Sequence, residues 1–160
     1  MGQFDEALAR LRSALDTQPN QVDLWLSAGE MLQHIGRIEE AVEMYRESLI
    51  QHPASGPLQL QLANCLSELQ WPNEAKLLYE AVLQQTPGHP DALNNQALLA
   101  AATGQNTQAE TVFRALTVSH PDYGDPYRNL SVLKHFDSTA DQDILAMRVA
   151  LQRDHLSSPS

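Results

Sequence analysis

The residues in this sequence that could do chemistry are six histidines, one cysteine and several adjacent acids. His34, His52, His89, His120, His135 and His155 could ligate a metal only where two or more come within about 2.0–2.1 Å of one ion. His34 has no second ligand four residues on, so it forms no helical chelate. Cys65 could act as a nucleophile if it were exposed and held as a thiolate. The pairs Asp5-Glu6 and Glu39-Glu40 have the composition of an acid–base couple. Glycine-rich phosphate loops and serine-centred elbows do not occur.

The elements that would position these groups follow from one period. Alanines stand at Ala7, Ala41, Ala75 and Ala109, and prolines at Pro19, Pro53, Pro87 and Pro121, each series stepping by 34 residues. Leu11, Tyr45, Tyr79 and Phe113 form a third series, and Glu6, Glu40, Glu74 and Gln108 a fourth. Gly2, Gly36 and Gly104 add a fifth, with Gln70 as its exception. A period of this length signals stacked supersecondary units. Within it, Trp25, Ala28, Gly29 and Leu32 share one face of a helix, and Ile38, Ala41, Val42, Tyr45 and Leu49 share one face of a second. Gly36 permits the turn between them and Pro53 ends the second. Asn20, Ser55 and Asp125 are the expected caps of first helices. Small residues at Gly29, Ala63 and Ala97, facing Ala41, Ala75 and Ala109, let the two helices approach while the aromatic series fills the space alongside.

This arrangement disposes of the candidate chemistry. His52 and His120 are two repeats apart, each repeat spanning two helix diameters of roughly 8–10 Å, so they cannot share an ion. The histidines read as solvated loop residues. Cys65 shares its phase with Met31, Leu99 and Leu133 and reads as a small core residue. The acid pairs begin second helices, where the helix dipole favours them. No catalytic residue, metal or cofactor is expected.

Trp25-x-x-Ala28-Gly29-x-x-Leu32, Ala41-x-x-x-Tyr45 and Pro53 together resemble the tetratricopeptide repeat (TPR) pattern. The next block is weaker: Gln59 stands for the Trp, and Gln70-Trp71-Pro72 replaces the glycine turn. The resemblance implies an all-α fold, a right-handed TPR superhelix of antiparallel helix pairs in a single domain. Its expected divisions are a half repeat at 2–21, full repeats at 22–55, 56–89 and 90–123, a degenerate capping repeat at 124–154 and a frayed tail at 155–160. The capping helix is expected from about Ala140 to Arg153, behind Ser138 or Thr139. The half repeat supplies only a second helix, leaving Phe4, Leu8 and Leu11 partly uncovered. Either a longer parent chain or a neighbouring copy would cover them, so self-association stays open.

The resemblance also implies a function, that of a protein-interaction scaffold. First helices of TPR proteins line a concave groove, which places Leu26, Leu60, Asn94 and Arg128 on it at one phase. Glu30, Asn64, Leu98 and Val132 follow at the next, with Ser27, Gln61, Asn95 and Asn129 beside them. Asparagine amides can pair with an extended peptide backbone, and Leu60 and Leu98 can take apolar anchors. The carboxylate clamp of some TPR domains needs Lys and Asn where this chain has Leu26 and Glu30, so chaperone-type acidic C-termini are not expected ligands. A weaker resemblance involves Tyr127-Arg128-Asn129-Leu130-Ser131, Lys134-His135-Phe136, Asp143-Ile144-x-x-Met147 and His155-Leu156-Ser157. These look like the junction in bacterial proteins that join a TPR array to a sulfotransferase-type domain, which would make the chain a substrate-recruiting arm.

Ten Lys and Arg against 20 Asp and Glu give a net charge of -10, which argues against nucleic acid or an anionic membrane surface as partner. A single cysteine allows no internal disulfide, and no stretch resembles a signal peptide or a membrane span. The expectation is a cytoplasmic protein that binds a protein or peptide.

Overall fold

The computed structural model describes residues 2–133, and these form eight helices joined by short turns. They are α1 (Gly2–Thr17), α2 (Val22–His34), α3 (Ile38–Gln51), α4 (Gly56–Glu68), α5 (Pro72–Gln85), α6 (Pro90–Ala102), α7 (Asn106–Ser119) and α8 (Gly124–Leu133). The expected capping helix, the tail, His135, His155 and Lys134 lie outside the described residues. The all-α repeat architecture stands: α2–α3, α4–α5 and α6–α7 are the three helix pairs that the 34-residue period requires. The chain separates into two compact units, one running to Pro87 and one starting at Gly88.

Unit 1 holds α1 to α5, each packed on its neighbour in order, with α2 also touching α4. The alanine and aromatic series form its core as the pattern demands. Ala41 and Ala75 are fully buried, and Tyr45 and Tyr79 beside them are almost as completely enclosed. Gly29 is required because the Tyr45 ring lies over it; a Cβ there would overlap the ring tip. Leu8, expected to be partly uncovered, is only 3% exposed, with α2 packed on α1. Phe4 does remain 44% exposed, against the His34 ring at a centroid distance of 6.1 Å.

Two positions where the repeat pattern breaks keep the geometry. Trp25 Nε1 donates to the Pro19 carbonyl at 2.8 Å, fastening the first helix to the turn before it. Gln59 at the same phase does likewise, its Nε2 donating to the Pro53 carbonyl at 2.8 Å. Gly36 has φ 78°, and Gln70 at its phase adopts φ 61°, the same left-handed turn without glycine's freedom.

Unit 2 holds α6, α7 and α8, with Ala97, Ala109, Phe113 and Leu130 at its centre. Tyr127 occupies the Trp25 phase, and its hydroxyl donates to the Thr117 carbonyl at 3.2 Å. Gly104 turns at φ 85°.

The expected caps are corrected. The residue preceding α2 is Gln21 rather than Asn20, and neither Gln21 nor Ser55 makes a side-chain capping bond. Helix α8 starts at Gly124, so Asp125 lies inside the first turn, paired with Arg128 at 2.7 Å. Prolines near the starts of α4, α5 and α6 explain part of this, because they remove N–H groups that a cap would serve. At the start of α6 a side chain does cap: His89 Nδ1 accepts from the Ala92 N–H at 3.4 Å.

Candidate functional site

The first helices carry the residues that the repeat phase selects, and burial divides them. In unit 1, Leu26 on α2 is half-buried and Glu30 is exposed. On α4, Leu60 is 8% exposed and belongs to the core, which corrects its reading as an apolar anchor point. Asn64 is half-buried, its Oδ1 accepting from the Tyr79 hydroxyl at 2.9 Å. The inward phase of this unit thus offers a carboxylate and an amide whose oxygen is already engaged.

In unit 2, Asn94 on α6 is 2% exposed. Its Nδ2 donates to Asn95 Oδ1 at 3.0 Å, and its Oδ1 accepts from Asn129 Nδ2 of α8 at 2.8 Å. Asn94 is therefore a hub that ties α6 to α8, and not a groove residue open to a ligand. Buried polar groups are costly unless bonded, which accounts for the three amides clustering. Asn95 and Asn129 remain half-buried at the edge of this cluster. Arg128 is exposed, held by Asp125. Leu98 and Val132, one repeat apart at the phase of Glu30, are 42% and 81% exposed. This surface combines amides, a guanidinium and two open apolar side chains.

The candidate chemistry takes its place around these faces. Cys65 is buried beneath Gln33, whose Nε2 donates to Sγ at 2.6 Å; burial pushes the thiol up in spite of that bond. His52 is not a solvated loop residue: it is half-buried, with Nε2 at 3.3 Å from the Pro19 carbonyl. His120 Nδ1 lies 2.8 Å from Ser119 Oγ. Among the described residues, no group of three His, Cys, Asp or Glu side chains could hold a metal ion. Likewise, no described helix is long and apolar enough to cross a membrane. Glu40 pairs with Arg37, whose hydrogen bond holds its carboxyl below the usual range.

Sequence reasoning missed two polar features. The Tyr45 hydroxyl is buried without a hydrogen-bond partner, although its counterpart Tyr79 is paired. Burial pushes both hydroxyls up. Tyr123 in unit 2 is raised by burial first and by the carboxyls of Asp91 and Asp125 next. The periodic recurrence of tyrosine marks the ring's place and says nothing of its hydroxyl's neighbours, which come from other phases.

The family model described as tetratricopeptide repeat matches residues 1–56, and a second model of that description matches residues 72–131. The tetratricopeptide repeat-containing protein trd-1 of Caenorhabditis elegans is 30% identical over 114 residues, 71% of this chain and 15% of that protein. The uncharacterized protein y4yS of Sinorhizobium fredii is 27% identical over 100 residues, 62% of this chain and 55% of that protein. The chain thus spans less than two thirds of the length of either curated relative. Among solved structures, a crystal structure of MamA superposes with TM-score 0.75 at 17% identity, covering 97% of this chain and 91% of its own. The first TPR of Spaghetti (RPAP3), bound to the HSP90 peptide SRMEEVD, gives TM-score 0.63 at 14% identity, covering 69% and 87%.

Proposed function

The chain belongs to the tetratricopeptide repeat family, and from that membership we propose that it is a protein-interaction scaffold that holds a peptide or partner helix against its first helices. The observation that carries the reading is the exposure of Leu98 and Val132 in register on α6 and α8. Two aliphatic side chains one repeat apart, with amides beside them, suit two apolar anchors of a bound segment. Asn95 and Asn129 beside them can meet peptide backbone, and Arg128 favours an acidic residue next to an anchor. In unit 1, Leu26, Glu30 and Asn64 would add a face that prefers a basic or neutral segment. Leu60 and Asn94 support these faces from beneath. A chemistry of its own is not part of this reading, since the exposed groups suit recognition and the Cys65 thiol is enclosed.

The test is selection of peptides from a displayed library, followed by titration. A selected peptide is expected to lose at least tenfold in affinity on Leu98→Asp/Val132→Asp and severalfold on Asn95→Ala/Arg128→Ala. SRMEEVD should not bind in the micromolar range, because Leu26 and Glu30 stand where a carboxylate clamp needs Lys and Asn. Affinity unchanged by the Leu98/Val132 variant would refute the reading.

A further inference from the structure

Helices α1 and α3 of unit 1, with Trp25 of α2 between them, line a groove that the first-helix reading does not use. Between α1 and α3 lies a cavity of about 490 Å³. Its floor is apolar, made by Leu15, Trp25 and Met44, and its rim is acidic. Arg12 is the one base in that lining, against four acids, Asp16, Glu40, Glu43 and Glu47. Two of these acids are occupied: Glu40 by Arg37 and, at 3.6 Å, by Arg12, and Glu43 by Arg46 at 3.4 Å. Asp16 and Glu47 have no ion-pair partner among the described residues.

The pairing of floor and rim specifies an occupant. A purely apolar side chain would bury the floor but desolvate the carboxylates without compensation. An isolated cation would meet the rim and leave the floor wet. An arginine does both, laying its methylene stem on the floor while its planar guanidinium reaches two carboxylates. The volume falls in the range of roughly 300–1,000 Å³ typical of ligand clefts, enough for that side chain and part of a neighbour. A net charge of -10 would draw a basic segment toward it.

We infer that this groove docks an arginine of a basic segment in a partner protein, as a contact surface separate from the first-helix faces. The probe is a capped, fluorescein-labelled hexapeptide of alternating Arg and Leu, with a Lys-for-Arg version beside it. Anisotropy titrations would compare the wild type, Asp16→Asn/Glu47→Gln, and the charge-matched control Asp23→Asn/Glu68→Gln, whose acids lie outside the groove. The expected result is at least a tenfold loss for the groove variant, less than twofold for the control, and severalfold weaker binding of the Lys peptide. The Trp25 indole N–H resonance should move on titration in the wild type. Equal losses in both variants would mean a diffuse field rather than a site. That outcome, no binding at millimolar peptide, equal binding of the Lys peptide, or a stationary Trp25 signal would each overturn the inference.

Discussion

The pairs α2–α3 and α4–α5 are two versions of one design, and their differences separate what the repeat needs from what it merely favours. The first has the family's preferred residues, Trp25 and Gly36; the second has Gln59 and Gln70 in their places. The backbone turn is the same, and so is the bond to a proline carbonyl, at 2.8 Å in both. The requirement is a donor of the right reach and a residue able to take the left-handed turn; bulk and flexibility are secondary. The satisfaction of the aromatic hydroxyl runs the other way. The divergent pair joins Tyr79 to Asn64, whereas the consensus-like pair leaves the Tyr45 hydroxyl alone, with Glu30 at the Asn64 phase.

Truncating the two anchors would break the comparison most forcefully. Trp25→Ala should cost about 3 kcal/mol, since it deletes a buried ring as well as a bond, and Gln59→Ala only about 1 kcal/mol. Equal losses in urea denaturation would show that the two residues are not equivalent fasteners of unequal bulk. The turn gives the next effect. Gln70→Gly should stabilise by roughly 1 kcal/mol by relieving a left-handed non-glycine residue, and Gly36→Gln should cost a similar amount. A melting temperature lowered by Gln70→Gly would mean that the glutamine side chain matters more than its strain.

The tyrosines sharpen the comparison at the smallest scale. Tyr79→Phe should cost up to about 1 kcal/mol by removing the hydroxyl's bond to the Asn64 oxygen, while Tyr45→Phe should be neutral or slightly stabilising. Both hydroxyls titrate above their ordinary value of about 10, so the unfolded chain ionises first as the solution becomes alkaline. Their contribution to stability is accordingly constant below pH of about 10 and is lost as pH rises toward the folded values. Thermal melts between pH 9 and pH 11 should therefore fall less steeply for Tyr45→Phe than for the wild type, and an unchanged slope would contradict this (the pH range being set by the ordinary tyrosine value of about 10).

The helix pairs were legible because each depends on residues whose size alone dictates their place. Ala41, Ala75, Tyr45 and Phe113 lie where the 34-residue period puts them. Helix starts were less legible: Asn20, Ser55 and Asp125 have capping chemistry, but prolines and turn geometry made such caps dispensable. Gln59 and Gln70 looked like defects because a pattern of residue types does not reveal that an amide can replace an indole or that a glutamine can bear a positive φ. The recognition residues were legible by phase and not by exposure. Leu60 and Asn94 share the phase of Leu26 and Arg128, yet neighbouring helices cover them. The groove between α1 and α3 has no periodic signature, since its walls come from two different blocks of the chain.

The bond from Trp25 to Pro19, repeated from Gln59 to Pro53, crosses from one 34-residue block into the preceding one. At these two joints the later block carries a plug near its beginning and the earlier one a socket near its end, both of standard pattern. A gene segment encoding residues 22–55 could be duplicated, deleted or exchanged and still meet a matching fitting on either side. The array can then change length by recombination without its joints being reinvented, leaving the outward side chains to diversify on an inherited frame.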